Sequence, residues 1–326
     1  MKKSLIALAV AGAMVAPMVA QADATLYGSM RIELNSADGA DLDLNDNSSR
    51  VGIKGDVDLG LENTKGVFHW EFNINTTDDG AYGDLGERLA YIGATGNWGT
   101  ALVGRQYHPH YLMMNLNTYT FSDASMAERY FLGNDNHKRV SNTLAYVSPS
   151  FNGFTIAAGT VIAGAGTDAD GTADSDSDGY NVAAQYKGNG LSAAISFASV
   201  NDDVPAIGGI AGASGEDDDV WGLSVKYAVT DAATIMVRYE DSEEDGANND
   251  EEVTFIGGTY KIDNTTLKLA YTDLEAEVAA DEEDAIMLEV QQKLGKGSVY
   301  AAYMDVDAET AANDTDLFTI GYRLDF

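Results

Sequence analysis

The sequence predicts an all-β fold: a transmembrane antiparallel β-barrel of about 16 strands, with short turns at one end and long loops at the other. Three observations predict it. Apolar and polar residues alternate with a period of two along most of the chain, short and long connections alternate between these segments, and tyrosines cluster where the segments end. Because one such segment alone is ambiguous, the prediction depends on their number and order.

Residues 1–22 have the pattern of a cleaved secretory signal peptide. Lys2 and Lys3 form a basic start, residues 5–15 are apolar, and small residues follow at the cleavage site. This order is typical of a signal peptide and favours it over the alternative, a buried N-terminal helix. Cleavage would leave residues 23–326, which are 304 residues long and are predicted to form a single β-barrel domain.

Charge and cysteine content exclude several classes of function. Without the two signal lysines, the chain carries 17 basic and 52 acidic side chains, a net charge of −35. Such a surface repels phosphates, so no nucleic acid partner is expected. The absence of cysteine excludes a disulfide framework and a Cys-ligated metal site. After Ala22 no apolar run of 18 residues occurs, so no membrane-spanning helix is predicted.

The alternating segments recur from the mature start to the last residue. The first of them places Leu26, Met30 and Leu34 on one face, and Arg31 and Glu33 on the other. The clearest segments lie at residues 24–34, 48–59, 67–74, 180–186, 191–197, 221–227, 233–239, 267–271, 286–290, 299–303 and 318–326. Helical spacing fits none of them, so each is predicted to be a strand.

The connections predict an antiparallel meander. Short ones lie at 96–99, 187–190, 229–231, 263–265 and 295–297, and the longest connection is the third long one, at residues 108–137. Pro109, Pro149 and Pro205 all fall in connections, as strand hydrogen bonding requires.

Tyrosines lie at both ends of the predicted strands. One set precedes tight turns or the chain end: Tyr146, Tyr186, Tyr227, Tyr260 and Tyr322. Another set precedes long loops: Tyr239, Tyr271 and Tyr303. Two aromatic bands are what the two interfaces of a membrane produce, although tyrosine also ends strands in soluble sandwiches.

The number of strands favours a closed barrel over the alternative, a soluble secreted β-sandwich. About sixteen strands in one meander would leave open edges in a sandwich, whereas closure into a barrel removes them. A barrel of this size also encloses a lumen too wide for side chains to fill, so that water can pass.

Several pieces of the sequence together resemble the trimeric Gram-negative outer-membrane general diffusion porins. These pieces are "ATLYGSMRIEL", "SSRVGIKGDVDLG", "ERLAYIGATGNWGTALVGRQY", "RVSNTLAYVSPSFNGF" and "FTIGYRLDF". The resemblance implies a sixteen-stranded barrel that assembles as a homotrimer, with the loop at 108–137 folded into the lumen as a constriction. It also implies that small hydrophilic solutes and ions diffuse passively through the pore.

The resemblance further implies that basic residues on the barrel wall face acidic residues on the constriction loop. Alternation places the candidate wall residues on the lumen face: Arg31, Arg50, Lys54, Arg88 and Arg105. The candidate loop residues are Asp123, Glu128 and Asp135. Val103 stands where relatives often carry a second basic residue, which predicts a less positive waist.

The end of the chain is expected to serve assembly. In the resembled family a terminal aromatic residue is part of the signal read by the outer-membrane barrel assembly machinery, and Tyr322 and Phe326 fit that signal. Outer-membrane lipids and lipopolysaccharide are the other expected partners. The acidic loop at 168–179 is expected either to stay hydrated or to bind divalent cations that bridge lipopolysaccharide phosphates.

No enzyme, cofactor or metal site is predicted. The sequence contains no nucleophile elbow, Walker loop, HExxH or GxGxxG motif. His108, His110 and His137 lie in one long loop, but their spacing is poor evidence for zinc. The negative charge predicts a mild cation preference. The alternatives are a sugar- or phosphate-selective channel, for which the sequence shows no clear aromatic ladder or lysine ring, and a structural or adhesive outer-membrane barrel.

Overall fold

The structure is a computed structural model. It describes residues 23–77, 85–118, 120–123, 126, 132, 138–162, 177–200, 218–244, 250–278, 282–310 and 314–326. The predicted signal peptide and most of the acidic loop at 168–179 lie outside the described residues.

Strands make up nearly all of the regular structure in the described residues. They are β1 (Asp23–Ala37), β2 (Asp43–Asp46), β3 (Arg50–Leu61), β4 (Thr64–Asn73), β5 (Gly86–Gly96), β6 (Gly99–Tyr107), β7 (Arg139–Val147), β8 (Phe154–Val161), β9 (Gly179–Gly188), β10 (Leu191–Val200), β11 (Asp218–Ala228), β12 (Ala233–Glu244), β13 (Glu251–Ile262), β14 (Thr265–Ala276), β15 (Glu283–Leu294), β16 (Gly297–Ala308) and β17 (Thr315–Asp325). The described residues directly after β6 form short helices, α1 (Pro109–Met113) and α2 (Asn115–Thr118). No helix in the described part of the chain is long and apolar enough to cross a membrane.

Sixteen strands form one closed antiparallel barrel, which confirms the predicted fold class. Consecutive strands from β3 to β17 are paired neighbours. β17 then pairs with β1, and the other edge of β1 pairs with β3. The four-residue β2 pairs with that same edge of β1, so it extends β3 and adds no position to the barrel. Because closure leaves no open edge, the sandwich alternative is wrong.

The outer face of the barrel is apolar and the inner face is polar. Ile235 on β12, Leu269 on β14 and Ile320 on β17 are each more than half exposed, at 52%, 54% and 52%. On the inner face of β12, by contrast, Arg238 and Glu240 are 1% and 0% exposed. A soluble protein would bury the apolar set and expose the charges. The observed inversion is the arrangement of a barrel whose outer face contacts lipid.

The seam that closes the barrel depends on a glycine opposite the last residue. The Gly28 N–H donates to the Phe326 carbonyl at 3.1 Å, and the Phe326 N–H donates to the Gly28 carbonyl at 3.1 Å. The Phe326 ring lies over Gly28, so a Cβ added at Gly28 would be 2.3 Å from Phe326 Cζ. The ring therefore occupies the space that a side chain at position 28 would need.

A double-mutant cycle tests this seam. Gly28→Val should destabilise the barrel by about 1–3 kcal/mol, because the new side chain displaces the ring. In a Phe326→Ala background, Gly28→Val should lower the free energy of unfolding clearly less. The measurement is the thermal unfolding transition of the refolded protein in detergent, followed by circular dichroism and by heat-dependent gel mobility.

Gly258→Val is the matched control for that cycle. Gly258 lies on the outer face of β13, where an added Cβ would approach only the Thr234 carbonyl oxygen, at 3.3 Å. This variant should show no coupling to Phe326→Ala. Strictly additive effects of Gly28→Val and Phe326→Ala would contradict the proposed ring–glycine contact.

Candidate functional site

The candidate site is the inside of the barrel, into which the chain folds directly after β6. α1 packs on β8, β9 and β10, and α2 packs on β11 and β12. Tyr111, Met113 and Met114 pack against small inward wall residues, namely Ala157, Ala183 and Ala194. Gly222 gives Met114 further room, since a Cβ there would lie 2.8 Å from its sulfur. Small side chains on this part of the wall therefore let the loop lie flat against it.

A second apolar contact fixes the loop further along. Phe121 and Met126 are 2% and 1% exposed. They belong to one cluster with inward side chains of β12 to β16, namely Met236, Phe255, Ala270, Ala285, Met287, Ala302, Met304 and Val306. Burial of two large loop side chains stabilises this position by roughly 1.5–3 kcal/mol each.

A buried ion pair forms the first polar anchor of the loop. The His110 Nε2 lies 2.9 Å from Glu240 Oε1, and Arg238 Nε lies 2.8 Å from Glu240 Oε2. The side chains of all three residues are at most 2% exposed. Next to them, Ser224 Oγ donates to the Met113 carbonyl at 2.7 Å. Strand β12 thus supplies both a carboxylate and its counter-charge directly beneath the loop.

The second polar anchor holds Ser122. Its backbone N–H and its hydroxyl both donate to the Glu289 carboxylate, at 2.6 and 2.7 Å. Lys268 neutralises Glu289 at 2.6 Å and also donates to Ser122 Oγ at 3.1 Å. From the other side, Asn47 Nδ2 donates to the Ser122 carbonyl at 2.9 Å.

Glu33 and Tyr300 complete this second anchor. The Tyr300 hydroxyl and Asn47 Nδ2 both donate to Glu33 Oε1. Strands β1, β14, β15 and β16 and the residues before β3 therefore all contribute to one buried polar network around the loop. Removing either member of the buried ion pair Lys268–Glu289 should lower the free energy of unfolding by about 3–5 kcal/mol, because the other charge is left uncompensated.

The wall formed by β1, β4, β5 and β6 carries a different network of aromatic and charged side chains. The Tyr27 hydroxyl donates to Glu71 Oε2 at 2.7 Å and also contacts His69. On the other side of the His69 ring, Nδ1 lies 2.9 Å from the Tyr91 hydroxyl oxygen. Arg88 Nε donates to Glu71 Oε1 at 2.6 Å. This network fixes ring positions along the wall and neutralises Glu71 within the protein.

The structure places the five predicted wall residues in two different settings. Arg31 and Arg88 are only 4% and 5% exposed, so they do not present free charge to the lumen. Arg50 and Arg105 are partly exposed and Lys54 is exposed. The Lys54 ammonium lies 5.0 Å from the centroid of the Tyr27 ring. Arg105 Nη1 donates to Ser141 Oγ at 3.0 Å.

The predicted loop acids also differ in setting. Asp123 is 1% exposed and follows directly after the anchored Ser122. Glu128 and Asp135 lie outside the described residues. The predicted aromatic residues Tyr322 and Phe326 are 47% and 53% exposed on the outer face of the closing seam.

The prediction that Val103 lies at the waist of the lumen is wrong. Its side chain is 53% exposed and pairs with Ile92 and Leu144, which also lie on the outer apolar face. The pairing of β6 and β7 is irregular between Gly104 and Gln106. Because that irregularity breaks the alternation, sharing the odd-numbered register of Arg105 does not place Val103 in the lumen.

Sequence reasoning missed the residues that anchor the loop: Arg238, Glu240, Lys268 and Glu289. Their position in the sequence could have indicated them, since each occupies an inward register in a strand whose outward residues are apolar. It also missed Lys138 and Arg139, which lie 5.7 and 5.9 Å over the stacked rings of Tyr111 and Tyr107 respectively. These cations add positive charge near the start of the loop.

The described residues contain no group of three or more histidines and acids placed to hold a metal ion. His110 is instead occupied by Glu240, and His137 lies outside the described residues.

Comparison with known proteins matches residues 7–311 to the family described as Gram-negative porin. Outer membrane porin protein 32 of Delftia acidovorans is 30% identical over 253 residues, which are 72% of this chain and 69% of that protein. Chitoporin of Vibrio furnissii is 34% identical over 120 residues, and this match spans only about a third of the chitoporin's own length (32%) and 35% of the chain.

Solved structures share the fold at low sequence identity. An anion-selective porin from Comamonas acidovorans aligns with a TM-score of 0.75 at 20% identity, covering 94% of this chain and 100% of that one. The trimer form of OmpT from Vibrio cholerae aligns with a TM-score of 0.70 at 18% identity, covering 94% and 99% of the two chains.

Proposed function

Because the chain belongs to the Gram-negative porin family, whose members reside in the outer membrane, we propose that it forms a channel for passive diffusion of small hydrophilic solutes and ions. The anchored loop is the observation that carries this proposal. A sixteen-stranded barrel is wide enough for water. A loop held against one side of its lumen narrows the passage without closing it.

The proposed constriction lies between the loop and the wall of β3 to β7. Two apolar clusters and two buried carboxylates hold the described loop residues against β8 to β16. The facing wall carries the partly exposed Arg50, Arg105 and Arg139 and the exposed Lys54. Fixed charges on one side of a narrow, water-filled passage orient water and favour solutes whose dipoles align with that field.

We also propose a mild cation preference. The mature chain carries a net charge of −35, with much of the acid in long loops at the channel mouth. Acidic mouths raise the local concentration of cations, within a screening distance of about 10 Å at 0.1 M salt. The basic wall acts in the opposite direction at the waist, so the expected preference is small.

Reversal potentials under a salt gradient test both parts of this proposal. The reconstituted protein should give discrete open steps and a reversal potential of cation-selective sign. The variant Arg50→Gln/Lys54→Gln/Arg105→Gln should raise the cation-to-anion permeability ratio by at least about twofold, because it removes the opposing charge at the waist.

Lys65→Gln is the control for that variant, because Lys65 is an exposed lysine outside the waist that is already paired with Asp56 at 2.6 Å. It should leave the permeability ratio unchanged. An anion-selective reversal potential in the unmodified protein would overturn the cation preference. An absence of open steps would overturn the channel itself and favour a structural or adhesive barrel.

Assembly as a homotrimer in the outer membrane is a further part of the proposal, with Tyr322 and Phe326 as the signal read by the assembly machinery. It is supported by the trimeric relative of the same fold and by the exposed aromatic end of β17. Deletion of Phe326 is expected to reduce the yield of folded trimer in cells severalfold, as measured by semi-native gels of outer-membrane fractions. A normal yield would count against the role of Phe326.

A further inference from the structure

Basic residues recur near the same end of every second strand in one half of the barrel. β9, β11, β13, β15 and β17 all run from a long loop towards a short turn or the chain end, and each carries one cation within its last few residues. These cations are Lys187, Lys226, Lys261, Lys293 and Arg323. Since the short turns of an outer-membrane barrel lie on the periplasmic side, the row lies at the periplasmic mouth.

The pairing register places these cations on the inner face, next to neutral polar side chains. Ser298 on β16 lies directly between Lys293 of β15 and Arg323 of β17. Thr266 on β14 lies opposite Lys261 of β13. The outward register at this level is apolar, with Tyr322 and Leu324 flanking Arg323 and 47% and 40% exposed.

A cavity of about 610 Å³ opens among the ends of β13 to β17. Four cations line it, namely Lys261, Lys293, Lys296 and Arg323. Neutral hydrogen-bonding groups line it as well, from Asn264, Thr266, Gln291 and Ser298. Its acidic groups are the side chains of Asp263 and Asp325 and the terminal carboxylate of Phe326. Its volume lies within the range of about 300–1,000 Å³ that is typical of small-molecule sites.

The charges of this cavity are not balanced within the protein. Arg323 is held by Asp325, whose two oxygens lie 2.9 and 3.0 Å from its Nε. In the described part of the chain, Lys261, Lys293 and Lys296 form no ion pair. Three acidic groups against four cations leave an excess of one positive charge, in a chain whose net charge is −33. Three grouped lysines without a direct ion-pair partner repel one another, and an anion between them relieves that repulsion.

We propose that this cavity is a binding site for multivalent anions that carry phosphate or carboxylate groups. Ammonium groups and the fixed guanidinium of Arg323 bind such oxygens through charge-assisted hydrogen bonds, and the amide and hydroxyl groups around them complete the coordination. The proposal rests on the proposed channel, since only solutes that traverse or enter the lumen reach the site. It places an anion site at the periplasmic mouth of a pore whose opposite mouth is acidic.

Soluble anions, rather than lipid headgroups, are the intended ligands. Lys261, Lys293 and Arg323 occupy inward registers, whereas a headgroup of the inner leaflet would approach from the outer face. The test therefore also changes the lipid headgroup while the soluble anion is kept the same.

Sided addition of inorganic tripolyphosphate to single channels in a planar bilayer tests the proposal. Micromolar tripolyphosphate at low salt should block the current from one side of each channel and much less from the other. The variant Lys261→Gln/Lys293→Gln/Lys296→Gln should weaken this block at least tenfold. Lys187→Gln is the matched control: it removes an exposed lysine of the same row that does not line the cavity, and it should change the block by less than twofold.

Titration of the detergent-solubilised protein with tripolyphosphate, followed by calorimetry, keeps the test independent of conduction. Heat of binding that the triple variant abolishes supports the site even if no open steps occur, which would count against the channel alone. Open channels that show equal block from both sides, or equal block in the triple variant, would overturn the site. Replacing neutral lipid by phosphatidylglycerol should leave the block unchanged, and a block lost in that lipid would overturn the preference for soluble anions.

Discussion

Two buried carboxylates determine where the long loop lies, and the passage through the barrel depends on that position. Glu240 holds His110 near the start of the loop, and Glu289 holds the backbone and hydroxyl of Ser122. Each carboxylate has its own counter-charge on the wall, Arg238 in one case and Lys268 in the other. Buried charges persist only when they are compensated in this way, so the loop and the wall stabilise one another.

The rest of the barrel is organised around this buried polar interior. Around the loop, the inner faces of β12 to β16 are packed and charge-compensated like the core of a soluble protein, whereas their outer faces are apolar and exposed. The wall of β1 and β3 to β7 keeps partly exposed cations and a network of tyrosines around Glu71. Most of the loop contacts therefore come from one half of the lumen, whereas the partly exposed cations lie on the other half.

The fold could be predicted from the sequence because its main signal is local. Period-two alternation, short turns and terminal tyrosines can each be recognised within one strand and its turn, so counting them indicated about sixteen strands, and the family resemblance implied sixteen. The four-residue β2 and the irregularity beside Arg105 escaped prediction, because both arise from pairing between strands and leave no composition signal.

The site was only partly predictable, for a physical reason. Alternation indicates that Arg31, Arg88 and Lys54 face inward, but it does not indicate which of them a neighbour neutralises. The structure buries Arg88 against Glu71 and leaves Lys54 exposed. The anchors of the loop join residues far apart in the chain, such as Ser122 and Glu289, and no spacing within one segment announces such a pair.

Exclusion of neutral polymers from single channels measures whether Glu240 and Glu289 set the width of the passage. Polyethylene glycols of graded size, added to both sides of a planar bilayer, give the size above which a polymer no longer lowers the conductance. We expect a larger cut-off and noisier open steps for Glu240→Gln/Glu289→Gln, because the released loop no longer holds the waist, and no change for the exposed outer-face control Glu275→Gln. Folded barrels of the double variant that keep the original cut-off and conductance would show that these carboxylates do not set the width of the passage.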